Sequence, residues 1–408
     1  MIIYSVNDKY RLLGILLVCL VLSSFHQIIA QEPAPPSPVS PPAESTDEPS
    51  KKFQLLVDQG VESMRRGRFY EALPPLKEAL ELKPDSVIAR YNLSMSLLSL
   101  GRVKEALSEI SPAVKSNPKS PLVYLGLGNI NKSMRRFGEA IEAYNKATSL
   151  DSNFITAYLN LGSLHSQLGQ FAESEKAFIE AVRINPNDPT TLNGLGVARF
   201  RLGHLEEGLK FISEAVRIFP KYTNAYINLG SFYKELGRYE ESIEAYSQAI
   251  KLVPKLPHTY LSRCLNYFYL GRGESAAQDA KAYLDYTNWS GDLAQIMVIT
   301  AVLGYRKAGL NTEADILLSQ APKRLEVVAW PFPVIRYLKG ELSAQEVINL
   351  ADNNDRMTEA RVYLGIDLIR QGKEAEGIAH LQWVKENGNR RFVEYPMAVA
   401  ELNRIEKK

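Results

Sequence analysis

Apolar residues recur at helical spacing over much of the chain, and this pattern predicts pairs of amphipathic helices. In the stretch 223–256 the apolar residues stand three and four positions apart, on one helical face: Tyr226, Leu229 and Tyr233. We place Gly237 after the first helix, because glycine adopts the left-handed backbone of a helix end without strain. Pro254 follows the second helix, because a proline cannot continue it. The stretch is therefore predicted to be two antiparallel helices.

The same arrangement recurs every 34 residues. Six segments follow it closely: 53–86, 87–120, 121–154, 155–188, 189–222 and 223–256. An alanine stands seven residues before the end of each: Ala79, Ala113, Ala147, Ala181, Ala215 and Ala249. A seventh segment, 257–290, keeps the turn glycine but has Cys264 where most of the others have an earlier glycine. Because one helix pair cannot bury its own apolar faces, the pairs are predicted to stack.

A period of this length with these glycine, alanine and proline positions resembles the tetratricopeptide repeat. The resemblance implies an all-α fold, a right-handed superhelical solenoid of antiparallel helix pairs whose first helices line a concave face. Gly230 and Ala249 fit it, because a small residue lets the two helices of a pair approach closely. The predicted domains are a solenoid over 53–290, with six regular repeats over 53–256, and a degenerate helical region over 291–408.

Helical patterning continues beyond the regular repeats, with one interruption. The segments 295–322 and 359–384 look like degenerate repeats. Between them, Trp330 and Phe332 each precede a proline, which biases a residue away from helix, so we expect a turn and then short helices. The segment 391–405 is predicted to be an amphipathic helix that caps the end of the solenoid.

The C-terminal part also resembles the NlpI family of bacterial envelope lipoproteins. The shared features are a Trp-Pro-x-Pro before Tyr337-Leu338, Glu359-Ala360 before Tyr363-Leu364-Gly365, and Phe392-Val393-Glu394 before Ala400-Glu401-Leu402. The resemblance implies an envelope adaptor that binds peptidoglycan hydrolases and a processing protease. The chain departs from that family in its more regular repeats and in lacking a convincing lipid-attachment site. The resemblance therefore favours an extracytoplasmic bacterial adaptor over any named partner.

The first thirty residues are typical of a secretory signal peptide. Lys9 and Arg11 precede an apolar run at 12–22, and Ala30 supplies a small residue for cleavage. The run is short for a membrane span. We therefore expect residues 1–30 to be removed and the protein to be exported, as a periplasmic or secreted protein. The alternative is an uncleaved N-terminal anchor that holds the chain outside the cytoplasm, and membrane contact is expected only through such an anchor.

Residues 31–52 form a separate segment, rich in proline with Ser, Glu and Ala. Such a composition buries too little apolar surface to offset the entropy of ordering, so we predict a disordered, extended linker. Cys19 follows Leu17 and Val18 rather than the small residue of lipoprotein signals, and lipidation is not expected. Cys264 is then left without a partner for an internal disulfide and is predicted to be a buried thiol.

Charge and motifs argue against catalysis and nucleic-acid binding. The formal net charge is +2, which gives no reason to expect a nucleic-acid partner. The sequence contains no HExxH, CxxC, GxSxG or phosphate-loop motif. Gly126 and Gly128 stand in a predicted helix, where packing explains them better than a dinucleotide loop. We therefore predict a non-enzymatic protein with no cofactor and no metal site.

In a tetratricopeptide frame, certain positions of each first helix face inward, and these give a candidate peptide groove. Its residues are Tyr91, Asn92, Asn129, Asn160, Asn193, Arg201, Asn228 and Lys234. Three of them share the sixth repeat position and resemble the asparagine ladder of the O-GlcNAc transferase superhelix, which grips an extended peptide backbone: Asn92, Asn160 and Asn228. The alternative is that asparagine is common at this position and merely solvated.

The sequence thus favours a protein–protein interaction scaffold or adaptor of the bacterial cell envelope. It would bind extended peptides or partner proteins along the concave groove, and the NlpI resemblance points to envelope hydrolases or proteases as partners. The alternative is a structural assembly factor that self-associates, for example as a homodimer, or anchors an envelope complex through its C-terminal region.

Overall fold

A computed structural model describes residues 38–40 and 48–407 of the chain. Within these two ranges the protein forms 21 helices and no strand, which confirms the all-α prediction. The expected signal peptide, Cys19 and most of the proline-rich segment lie outside the described residues. No helix in the described part is both long and apolar enough to cross a lipid bilayer.

The described residues fall into two compact units, divided after Pro220. The N-terminal unit contains five helix pairs: α1 (Glu48–Arg65) with α2 (Phe69–Leu82), α3 (Val87–Ser99) with α4 (Val103–Ser116), α5 (Pro121–Ser133) with α6 (Phe137–Leu150), α7 (Ile155–Gln167) with α8 (Phe171–Ile184), and α9 (Pro189–Arg201) with α10 (Leu205–Ile218). Helix α1 begins inside the segment that we predicted to be linker, which extended to residue 52.

In the N-terminal unit, the first helices of successive pairs touch one another. Helix α1 contacts α3, α3 contacts α5, α5 contacts α7, and α7 contacts α9. These helices therefore form one layer, and each second helix packs against the first helix of its own pair. This inner layer, made of α1, α3, α5, α7 and α9, carries most of the predicted groove residues.

The helix glycines have the packing role that the repeat predicts. A Cβ atom added to Gly162 would lie 3.0 Å from the ring of Phe178, sixteen residues later. The turn glycines have positive φ angles, such as +73° at Gly169, which only glycine adopts readily. Arg135 occupies the equivalent turn position in the third segment and takes the same left-handed conformation, with φ of +60°.

The C-terminal unit begins with three further pairs: α11 (Thr223–Glu235) with α12 (Tyr239–Leu252), α13 (Pro257–Tyr269) with α14 (Gly273–Thr287), and α15 (Ala294–Lys307) with α16 (Asn311–Arg324). Two short helices follow, α17 (Phe332–Leu338) and α18 (Ala344–Leu350), then α19 (Asn354–Arg370), α20 (Glu374–Asn387) and α21 (Glu394–Glu406). The turn and short helices expected after Trp330 are confirmed.

Helix α21 does more than cap the last pair. It contacts α19 and α20, and it also contacts α13, far earlier in the chain. The Arg404 guanidinium donates to the main-chain carbonyl oxygens of Phe268 and Tyr269, at 3.5 and 3.1 Å from Nη2. Phe268 and Tyr269 are the last two residues of α13, so α21 packs against the C-terminal end of that helix. The prediction of a simple end cap is corrected in this respect, because the contact depends on residues distant in sequence.

Two buried carboxyl groups hold the segments around α21 together. The Tyr363 hydroxyl donates to Glu394 at 2.7 Å, and the Trp330 indole N–H donates to Glu359 at 2.5 Å. Burial raises the pKa of both carboxyl groups. For Glu359 the nearby Glu394 carboxyl raises the pKa further. The folded unit therefore favours the protonated forms of these two carboxyl groups more than the unfolded chain does.

A partly buried ion pair joins α13 to α14. The Arg263 Nε and Nη2 atoms donate to the two carboxylate oxygens of Asp279, at 2.8 and 2.7 Å. The Arg263 Nη1 atom also donates to the Ser247 hydroxyl at 2.8 Å. The Asp279 side chain is 6% exposed and that of Arg263 17% exposed. Burial raises the pKa of Asp279, although the hydrogen bonds from Arg263 act to lower it.

We expect Ala249→Leu to destabilise the C-terminal unit by about 1–3 kcal/mol, because it forces extra volume into a tight helix contact. Ala249 is fully buried and packs with Ile227 and Tyr246. The matched control is Gln248→Leu, which places the same side chain at the preceding, exposed position. It should change the free energy of unfolding by no more than about 0.5 kcal/mol. Urea unfolding measures both, and equal effects would show that the repeat frame is misplaced.

Candidate peptide-binding groove

The predicted groove residues divide between the two units. Asn92, Asn129 and Asn160 lie on α3, α5 and α7 of the inner layer, and Asn193 and Arg201 lie on α9. Two others lie on α11 of the C-terminal unit: Asn228 and Lys234. The three asparagines of the sixth repeat position are therefore not all in one unit. The candidate groove consists of the residues on the N-terminal inner layer.

The Asn92 side chain already binds a main-chain unit of the same protein. Its Oδ1 accepts a hydrogen bond from the main-chain N–H of Val39 at 3.0 Å, and its Nδ2 donates to the main-chain oxygen of Val39 at 2.7 Å. An extended residue exchanges both bonds in the same way with a neighbouring strand. The Asn92 side chain is fully buried, and the half-buried Val39 side chain packs against the hydrophobic cluster of the N-terminal unit.

The next two asparagines are joined to each other. The Asn160 Nδ2 donates to the Asn129 Oδ1 at 2.8 Å, and the Tyr144 hydroxyl donates to the same oxygen at 2.8 Å. On its other side, the Asn129 Nδ2 lies 3.6 Å from the Met95 sulfur. Met95 shares α3 with Asn92, so polar contacts run along the inner layer from α3 through α5 to α7. Asn129 and Asn160 are half-buried.

The remaining predicted residues differ in their exposure. Tyr91 and Asn193 are buried, so Tyr91 contributes to the core and offers no accessible ring. Burial raises the pKa of the Tyr91 and Tyr144 hydroxyls, which therefore stay protonated. Burial also lowers the pKa of Lys132 on α5. The amides of Asn92, Asn129 and Asn160 and the Tyr144 hydroxyl can each donate and accept hydrogen bonds, as the groups of a peptide backbone do.

Two contributors to this site were not predicted from the sequence. Tyr144 could have been found, because a large side chain stands sixteen residues after the glycine at the eighth repeat position, as Phe178 does after Gly162 and Tyr246 after Gly230. Val39 could not, because it lies in the proline-rich segment and outside any periodic pattern. Its role depends on a contact across 53 positions of the sequence.

The described ranges contain little of what a metal site or a reactive cysteine requires. No group of three His, Cys, Asp or Glu residues there could hold a metal ion. Cys264 is buried, as predicted, and its thiol lies 3.2 Å from the main-chain oxygen of Ala276. Burial raises the pKa of this thiol well above its usual value, which disfavours the reactive thiolate.

Family models match several segments of both units. Tetratricopeptide-repeat models match residues 63–130, 155–188 and 223–256, and a TPR-repeat model matches 136–169. Both units contain tetratricopeptide repeats. Such repeats generally mediate protein–protein interactions. The matched segments end at residue 256, so the NlpI resemblance of the C-terminal part stays a prediction.

Several solved structures contain similar tetratricopeptide solenoids. PilW, a widely conserved type IV pilus biogenesis factor, is 19% identical, with a TM-score of 0.49 over 52% of this chain and 98% of its own. MamA is 25% identical, with a TM-score of 0.37 over 40% and 95% of the two chains. YrrB, a TPR protein with an unusual peptide-binding site, is 21% identical, with a TM-score of 0.38 over 46% and 96%. The comparison with curated proteins finds no match.

Proposed function

We propose that this chain is a non-catalytic interaction scaffold whose N-terminal unit binds an extended peptide across α3, α5 and α7. The observation that carries the proposal is the paired hydrogen bond between Asn92 and the Val39 backbone. It supports the proposal because a side-chain amide here recognises the peptide unit itself. Asn129 and Asn160 continue the row of amides beside it. Recognition of backbone rather than side chains suits a scaffold with several partners.

We further propose that the scaffold works outside the cytoplasm, as an adaptor of a bacterial envelope. The basic and apolar N-terminal sequence that ends at Ala30 supports export. The NlpI-like features of the C-terminal part support an envelope role, with hydrolases or proteases as partners. Self-association through the C-terminal region is the alternative. The burial of Met397, Ala398 and Leu402 within their own unit favours the groove over that alternative.

The double variant Asn92→Ala/Asn160→Ala should weaken peptide binding without unfolding the protein. Two hydrogen bonds contribute roughly 1–3 kcal/mol together, so the dissociation constant should rise about five- to 150-fold. An array of short extended peptides provides the probes, and calorimetry on the bound ones gives the affinity. Circular dichroism checks the helical content of each variant.

The matched control for this experiment is Asn228→Ala. Asn228 has the same repeat position but belongs to the C-terminal unit, so its replacement should leave the affinity unchanged. If the folded double variant binds as tightly as the wild type, the peptide site lies elsewhere and the proposed groove is wrong.

A further inference from the structure

We propose that residues 38–40 are an intramolecular ligand of the groove, which occupies the Asn92 site until a partner peptide of the same class displaces it. That class is an extended segment with a small aliphatic residue between prolines. The proposal rests on the proposed function, because it concerns the same site. It adds a ligand class and a means of regulation.

The main-chain groups of Val39 are complementary to the side-chain amide of Asn92. Pro38 precedes it and has no N–H to donate, whereas Val39 offers both an N–H and a carbonyl oxygen to Asn92. Ser40 precedes Pro41, and a following proline favours extended backbone. Proline-rich segments are extended before they bind, so they lose little conformational entropy on binding. The proline-rich composition is thus an advantage for binding at this site.

The contact can be made within one molecule. The chain from Val39 to Glu48 spans at most about 30 Å when fully extended. Helix α1, which begins at Glu48, contacts α3 directly, and α3 carries Asn92. The ligand segment and its site therefore belong to one compact unit, within reach of each other.

Occupation by a tethered segment weakens binding of an outside peptide. A short flexible tether gives a local concentration on the order of millimolar. If the isolated segment binds with a dissociation constant on the order of 100 μM, the site is occupied about ten times more often than it is empty. The apparent affinity for a competing peptide then falls by roughly ten-fold. Asn129 and Asn160 lie beyond Asn92 on the inner layer, so a longer partner peptide gains contacts that residues 38–40 do not make.

The first experiment measures hydrogen exchange at the Val39 amide in the full-length chain. In the wild type this amide should exchange roughly ten-fold or more slowly than in Asn92→Ala, because Asn92 accepts its hydrogen bond. Asn228→Ala serves as the control and should leave the protection unchanged. Equal exchange in wild type and Asn92→Ala would overturn the proposal. So would protection that disappears on dilution, since a second copy would then supply the segment.

The second experiment measures binding of a fluorescent peptide with the sequence of residues 33–42 to full-length variants. Val39→Pro removes the N–H that Asn92 needs, so the site should open and bind the peptide roughly ten-fold more tightly than the wild type does. Ser40→Pro inserts the same residue one position later and retains the N–H and carbonyl groups of Val39. It should therefore bind the peptide as the wild type does. Adding Asn92→Ala to Val39→Pro removes both hydrogen bonds to the ligand backbone and should weaken binding about five- to 150-fold.

The outcomes separate this inference from the proposed function. The wild type and Val39→Pro could bind the peptide with equal affinity while Asn92→Ala weakens that binding. Residues 38–40 would then not be an intramolecular ligand, but the groove would stand. An affinity that Asn92→Ala leaves unchanged would contradict the groove itself. Absence of binding to Val39→Pro would overturn the proposed ligand class.

Discussion

Deleting residues 392–408 should destabilise the C-terminal unit by roughly 3–6 kcal/mol. Helix α21 buries Met397 and Leu402, and full burial of each such side chain contributes about 1.5–3 kcal/mol. The deletion also removes Glu401, which pairs with Lys307 at 3.0 Å. Since a folded domain is stable by only about 5–15 kcal/mol, this loss is a large fraction of the total.

Urea unfolding and limited proteolysis measure this effect. The deletion should expose the surfaces of α13 and α19 that α21 covers, so aggregation and cleavage within residues 257–391 are also expected. The matched control removes only residues 406–408, beyond the last buried residue of α21, and should unfold as the full chain does. A monodisperse 392–408 deletion with unchanged stability would mean that α21 does not support its unit.

Arg263→Met should destabilise the C-terminal unit by about 3–5 kcal/mol at neutral pH. The substitution retains much of the side-chain volume but leaves the Asp279 carboxylate buried without its partner. Burial already raises the pKa of Asp279 above its usual value, and the loss of Arg263 raises it further. The folded variant therefore favours the protonated form of Asp279 more than the unfolded variant does. The loss of stability relative to the wild type should shrink as the pH falls through the pKa of Asp279 in the folded variant. It should be largest above that pKa.

Two controls separate this charge effect from simple loss of packing. Arg272→Met breaks an exposed ion pair with Glu240 and should cost no more than about 1 kcal/mol. The double variant Arg263→Met/Asp279→Leu removes both charges and should recover most of the stability. Unfolding in urea across a range of pH gives all the values. A deficit in Arg263→Met that does not change with pH would contradict the role assigned to Asp279.

The repeat frame could be predicted because its determinants are local. Gly162 and Phe178 meet within one helix pair, and the turn at Gly237 has the predicted left-handed backbone, with φ of +72°. Each of these features depends on residues a few turns apart in sequence. The pattern therefore located the pairs and the inner layer without any knowledge of long-range contacts.

The contacts of the candidate site were less predictable, because they join residues far apart in sequence. Asn92 was expected on the inner face, but the sequence did not indicate that Val39 would bind it. Asn160 was expected to face a peptide, and it also bonds to Asn129, which lies 31 positions earlier. Asn228 has the same repeat position as Asn92 but lies in the other unit. A repeat pattern assigns equivalent positions and does not show which of them share a surface.

The packing of α21 against α13 has a consequence for synthesis of the chain. Arg404 bonds to a carbonyl group 136 positions earlier, so the C-terminal unit cannot complete its core until almost the whole chain has been made. The helix pairs of the N-terminal unit depend on near neighbours and can form as they emerge from the ribosome. A chain interrupted near its end would therefore have a folded N-terminal unit and an incompletely folded C-terminal unit. The exposed apolar surface of the second unit would make the chain prone to aggregation and proteolysis.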